Sequence, residues 1–180
     1  MKTTFARLFS FIAGLVLLCV LFLGAGFRAL MTNYLVAESR ESLSNNAASV
    51  AELAAAYDTT GQMEDNWDFR MSLSFASRVA ETDAVICDEN GVVVLCSCEN
   101  LICRHLGQRL DVGLTTEVLE NGQTYAKGML DGLYEEERYY VAEPVTSGST
   151  GATIGIVVAS SPATEPSQVM GPMFQIFLLT

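Results

Sequence analysis

A chain of 180 residues with a formal net charge of −11 and 50% hydrophobic residues has room for one ordinary domain and something more. The acidic surplus excludes a nucleic-acid-binding surface. No nucleophile–base pair, phosphate-cradling glycine loop or H-E-x-x-H element occurs in the sequence, so nothing in it points to catalysis.

From Leu8 to Phe27 the chain runs for twenty residues without a charge. At about 1.5 Å per residue this spans about 30 Å, the hydrocarbon thickness of a bilayer. Lys2 and Arg7 precede the run and no acidic residue occurs before Glu38. The positive-inside rule therefore places the N-terminus in the cytoplasm and sends the rest outside, against the opposing Arg28. Gly24-Ala25-Gly26 offers the competing reading of a signal-peptide cleavage site. Leu18, before Cys19, is too bulky for a lipoprotein cleavage box. A second apolar run, Val169 to Thr180, argues against cleavage: at twelve residues it is too short to span and reads as the start of a second transmembrane helix. The expected organisation is 1–7 cytoplasmic, 8–28 transmembrane, 29–168 extracytoplasmic and 169–180 the beginning of a second span. The outer segment holds all 21 acidic residues against seven basic ones.

Helical spacing continues from Ala29 to Tyr57, where Leu30, Tyr34, Ala47, Val50, Ala54 and Tyr57 recur at threes and fours. Such a helix would transmit a shift as a rod, and Thr59-Thr60-Gly61 ends it. A second helix is predicted from Asp65 to Glu81, capped by Asp65 or Asn66, with Trp67, Met71, Phe75 and Val79 as its apolar stripe. After Asp83 the period changes to two. Ala84 to Asp88 and Val92 to Ser97 read as strands joined by an Asn90-Gly91 hairpin turn. Next come a cysteine-containing loop and a helical piece from Leu110 to Asn121. Three further strands are predicted: Gln123 to Leu133, Arg138 to Val145 and Thr153 to Ser160. Glu135-Glu136-Glu137 and Ser147 to Gly151 supply the turns, and Pro162 and Pro166 break the structure afterwards. Antiparallel strands with segregated helices make the fold α+β.

The segments CDENGVVVLCS, YYVAEPV and IGIVVASSP, in that order before a second apolar run, resemble the extracytoplasmic PAS-like (Cache-type) sensor domain of Gram-positive two-component sensor histidine kinases. The resemblance implies a roughly five-stranded antiparallel sheet, a homodimer, and a kinase core beyond the second span. It also implies a small-molecule pocket between the sheet and the helical insert. Arg104, Tyr125, Lys127, Tyr139 and Tyr140 carry polar tips that could reach such a pocket, and Arg104 or Lys127 would suit a carboxylate ligand. The alternative for the tyrosine pair is strand alternation, with one ring packed inward and the other outward. His105 is a candidate pH-sensitive or ligand-contacting group, or a surface or capping histidine. The acidic run Glu135 to Glu137 could collect divalent cations or simply be a solvated turn.

Four cysteines lie in the outer segment: Cys87, Cys96, Cys98 and Cys103. With His105 they form Cys-x-Cys-x4-Cys-x-His, a set of soft ligands that a tetrahedral metal could use, although the paired C-x2-C units of zinc fingers are missing. Disulfides are the competing reading in an oxidising compartment, and free thiols are a third. A two-residue hairpin loop puts Cys87 opposite Val94 or Val92, out of reach of Cys96. The reading adopted is a bridge within the Cys96 to Cys103 loop, with Cys87 buried or bonded to the remaining thiol. No cofactor is expected beyond that metal possibility.

The function expected is stimulus sensing by the extracytoplasmic region of a membrane-bound sensor histidine kinase, transmitted by helix displacement, with a small molecule, ion or peptide as stimulus. A chemoreceptor or cyclic-dinucleotide enzyme would use the same sensor. A standalone membrane-anchored envelope or redox protein using the cysteine cluster is the competitor from another class.

Overall fold

The computed structural model describes residues 2–58, 66–98 and 103–163. The second apolar run, the helix stop expected at Thr59-Thr60-Gly61 and the break expected at Pro166 lie outside these residues. In chain order the elements are α1 (Lys2–Asp58), α2 (Trp67–Val79), β1 (Asp83–Cys87), β2 (Val93–Cys96), α3 (Val112–Asn121), β3 (Thr124–Gly128), a 3-10 turn (Leu130–Gly132), β4 (Arg138–Thr146) and β5 (Thr153–Pro162).

The chain divides into two compact units, Met1–Glu38 and Ser39–Thr180. In the first, the apolar part of α1 is long and apolar enough to cross a bilayer, and none of its most apolar stretch is buried. Leu30 and Tyr34, expected on a packing stripe, stay more than 60% exposed in this unit.

The second unit is built on an antiparallel sheet in the order β2-β1-β5-β4-β3. The α+β architecture with five antiparallel strands is the one expected. β5 sits at the centre because it can be buried on both faces: Gly155 to Ser160 reads as an almost unbroken apolar run and is buried throughout.

One face of the sheet carries Ala84, Ile86, Leu95, Val141, Val145, Val157 and Ala159 against α1 and α2. The other carries Val85, Cys87, Val93, Cys96, Ile156 and Val158 against α3 and the β3–β4 connection. Each fully buried valine, leucine or isoleucine in these layers contributes about 1.5–3 kcal/mol.

The inward face of α2 differs from the expected one. Asn66 caps the helix, accepting from Phe69 N at 3.1 Å. But Phe69, Leu73 and Ser77 turn inward, while Trp67, Met71, Phe75 and Val79 are 54–71% exposed. Asp68 and Arg78 fall within the angular sector of that stripe, so burying it would also bury both charges. The opposite face carries no such penalty, and Phe69 there meets Tyr57 of α1 at 4.9 Å between ring centroids.

The β1–β2 connection also corrects the expected register. Glu89, Asn90 and Gly91 form a three-residue loop, with Gly91 N donating to Asp88 O and Gly91 at φ +78°. The Asp88 carboxylate accepts from Asn90 N and Val92 N. A bulge between Ile86 and Cys87 then sets Cys87 opposite Val93 and Val85 opposite Cys96.

β3 ends at Gly128 instead of continuing to Leu133, because Leu130 and Gly132 both take positive φ in the 3-10 turn. The β3–β4 connection is therefore longer than the Glu135 to Glu137 turn foreseen. Pro162 does not break the structure. It closes β5 opposite Arg138 at a strand end, where a missing N–H is tolerated. Pro144 lies within β4, beyond Ala142, the last residue that β3 pairs.

Candidate functional site

The side chains with the most chemistry gather where β2 runs out. Ser97 holds the strand end by donating from N to Ala84 O and accepting from Ala84 N at its hydroxyl. The chain then returns through a turn in which Leu106 N donates to Cys103 O, and Gly107, at φ +79°, donates to Val93 O. Val93 N donates to Gln108 O and Leu110 N to Gly91 O, so this return runs along the free edge of β2. Cys96, Cys98, Cys103 and His105 are thereby brought to one place, their ligating atoms all within 4.8 Å of one another.

Cys98 and Cys103 are joined by a disulfide, their Cα atoms 6.5 Å apart. This is the bridge within the Cys96 to Cys103 loop that was expected, formed by its two later cysteines. Cys96 remains unbridged, its Sγ 3.2 Å from His105 Nδ1. Cys87 is unbridged and fully buried. Burial pushes the Cys96 thiol up, and it pushes Cys87 to about 12, with Asp88 adding to the rise.

His105 packs against Tyr134 at 4.9 Å between ring centroids. Burial, and after it the Arg104 charge, holds the imidazole below its usual value, which favours the neutral ring. Its Nε2 is buried without a hydrogen bond among the described residues, and the Leu133 backbone near the ring acts in the opposite direction, raising the value. Burial also lifts the Tyr134 phenol to about 12.

Beyond Tyr134 stands Arg138, whose guanidinium lies 4.4 Å from the Tyr134 ring centroid. It is only 4% exposed, yet every arm is used: Nε to Ser160 Oγ, Nη1 to Glu136 and Nη2 to Asp83. An open cleft of about 440 Å³ adjoins this hub, lined in part by Ser77, Arg78, Asp83, Ser97, Cys98 and Arg138. Cys98 thus belongs to both the cysteine cluster and the cleft wall.

The sheet separates the residues expected to share a ligand pocket. Tyr125 and Tyr139 stack on the α1 side with centroids 6.1 Å apart, Arg40 lies over Tyr125, and Lys127 reaches over Tyr139. Burial raises Tyr125, and Tyr139 adds to the rise. Tyr140 points to the opposite layer, as strand alternation demands for one of an adjacent pair. Arg104 is largely exposed and pairs with Glu135 at 2.8 Å; Lys127 pairs with Glu137 at 2.7 Å. Exposed pairs of this kind contribute little. Tyr125, Lys127 and Tyr139 therefore do not line the insert side, where leucines, valines and Tyr134 fill the space.

Sequence reasoning missed Asp83, Tyr134 and Arg138. One signal was present: Arg138 is one of only seven cations after residue 28, and it opens a strand directly after three glutamates.

No family model matches the sequence, and no curated protein matches it. Among solved structures the chain is similar to the sensor domain of the V. cholerae histidine kinase DctB, with TM-score 0.43 and 16% identity over 73% of this chain and 57% of that one. It is also similar to the E. coli DcuS sensor domain, with TM-score 0.46 and 15% identity over 76% of this chain and 98% of that one. The match thus spans little more than half of the V. cholerae domain.

Proposed function

We propose that this chain is the membrane-anchored, extracytoplasmic sensory region of a transmembrane receptor of the sensor histidine kinase type. The observation that carries the reading is the pairing, in one chain, of an unburied apolar helix segment with an acidic α+β module of five antiparallel strands. Among the described residues nothing buries the apolar segment, which suits lipid as its surroundings. The module offers an open cleft and a thiol–imidazole cluster in which the Cys96 thiol is buried beside a disulfide and burial pushes its value up, away from the reactive thiolate. Recognition, with the chemistry carried out elsewhere, fits that inventory. A stimulus that favours one of two arrangements of the module would bias an output across the membrane by its differential affinity, through displacement of α1.

Two measurements test the reading. An epitope placed in the Ser147 to Gly151 turn should be reached by an impermeant reagent in intact cells; labelling only after lysis would place the module in the cytosol and sink the proposal. Fused through residue 180 to a histidine-kinase core, the chain should make autophosphorylation respond to a stimulus applied outside. A chemoreceptor or cyclic-dinucleotide enzyme would share the topology and differ only in its cytoplasmic output domain.

A further inference from the structure

We propose that Cys96, Cys98, Cys103 and His105 are a binding site for one thiophilic divalent cation, with zinc as the reference ion, and that the Cys98–Cys103 disulfide is its closed, metal-free state. The four donor atoms lie within 4.8 Å of one another. A tetrahedral site with Zn–S of about 2.3 Å and Zn–N of about 2.0–2.1 Å needs donors roughly 3.5–3.8 Å apart. Opening the disulfide and drawing in the widest pair by about 1 Å would meet that requirement.

A structural disulfide accounts for Cys98 and Cys103, but not for what surrounds it. The Cys96 thiol and the His105 imidazole both turn toward the bridge and toward each other, with Sγ and Nδ1 3.2 Å apart. The other ring nitrogen gives the second, independent observation. Nε2 is buried without a hydrogen bond among the described residues, and the Leu133 backbone interacts with the imidazole. An imidazole bound to a cation through Nδ1 must carry its proton on Nε2, and metal-bound histidines donate that N–H to a carbonyl or carboxylate. The orphaned Nε2 is the donor such a bond requires, and the Leu133 carbonyl near the ring is a candidate acceptor.

Three thiolates and one neutral imidazole around a divalent ion carry a net charge of −1. Two cations stand nearby, both already paired: Arg104, which precedes His105, with Glu135, and Arg138, over the Tyr134 ring on which His105 packs, with Asp83 and Glu136. Sulfur donors select zinc or a similarly soft divalent ion over calcium and magnesium.

The switch between states is a two-electron step. An external dithiol transfers two electrons and two protons to the Cys98–Cys103 bond, becomes a disulfide itself, and leaves two thiols. Binding of the cation then displaces three thiol protons, one each from Cys96, Cys98 and Cys103. An external disulfide reverses the sequence: it takes two electrons, the protein bridge re-forms, and the cation leaves. The site does not rest on the sensory reading and stands or falls whatever lies across the membrane.

The test uses the full chain in detergent, carrying Cys19→Ser to remove the thiol of the apolar segment. Reduced anaerobically with a phosphine, it should bind one cobalt(II) per chain with the intense visible bands of tetrahedral coordination and thiolate-to-metal charge transfer, and zinc should displace the cobalt. The oxidised protein should show neither feature. Cys96→Ser and His105→Ala should each weaken cobalt binding by about tenfold or more, while Cys87→Ala should leave it intact. Absence of tetrahedral bands in the reduced protein overturns the proposal, as does equal binding in the oxidised form. Because that comparison needs no site variant, a misfolded mutant cannot obscure the outcome.

Discussion

Arg138, at the start of β4, reaches past the intervening β5 and donates from Nη2 to the carboxylate of Asp83 at the head of β1, 2.6 Å away. Two strands that do not pair are thus tied through a guanidinium that also holds Ser160 on the strand between them. The two partners are unequal, since the Arg138 side chain is 5% exposed and that of Asp83 is 52% exposed.

That inequality predicts asymmetric mutational costs. Arg138→Ala removes the packing on Tyr134 and leaves Ser160 and two carboxylates without their partner, so it should cost about 2–4 kcal/mol in urea unfolding. Asp83→Asn should cost less than about 1 kcal/mol, because the half-exposed side chain returns to water. Arg138→Lys should recover little, because a single ammonium cannot replace three differently directed N–H donors.

On α2 the structure inverts what the spacing suggests, and stability measurements decide between the two faces. Leu73→Ala should cost about 2–4 kcal/mol as a core truncation. Phe75→Ala, on the exposed stripe, should stay within about 1 kcal/mol. The opposite ranking would mean that the Trp67–Val79 stripe is the buried one.

Thiol reactivity separates the cysteines. With its value raised from 9.0 to about 12, Cys87 should carry about a thousandfold less thiolate at neutral pH than an unperturbed thiol. Alkylation of native, unreduced protein followed by mass spectrometry should leave Cys87 unmodified over times that fully label a control peptide. Cys98 and Cys103 should be labelled only after reduction.

The pH response of His105 follows from its lowered value. The native state disfavours the added proton, so the stability due to the neutral ring is complete above 6.5 and is lost as pH falls from there through the lower folded value. His105→Gln should therefore unfold with a flatter pH dependence than the parent chain on the acid side of neutrality. An unchanged profile would show that His105 titrates alike in the folded and unfolded states.

Periodicity made most of the architecture legible. The change from spacing of three and four to alternation after Asp83 located the start of the sheet, and Thr153 to Ser160 read as a strand, though not as the buried central one it proves to be. The inward face of α2 was not legible from apolar residues alone, because two faces of that helix are apolar. The positions of Asp68 and Arg78 decided the matter. The β1–β2 register turned on a single extra loop residue and a bulge, which spacing does not encode. At the candidate site, the cysteines and His105 stood out because they are rare and close in sequence. Arg138 and Asp83, 55 residues apart, are joined only by the order of the strands.

Pro144 has a consequence for how molecules of this kind behave when crowded together. Among the described residues β4 has no strand partner on its β3 side from Glu143 onward, and an unpaired strand margin is where a second molecule could add its own strand and begin an aggregate. A residue without an amide hydrogen interrupts the row of donors there, and the adjacent Glu143 carboxylate, which accepts from Gln123 Nε2 at 3.0 Å, adds repulsion between like copies. This margin is thereby guarded against fibril-like growth.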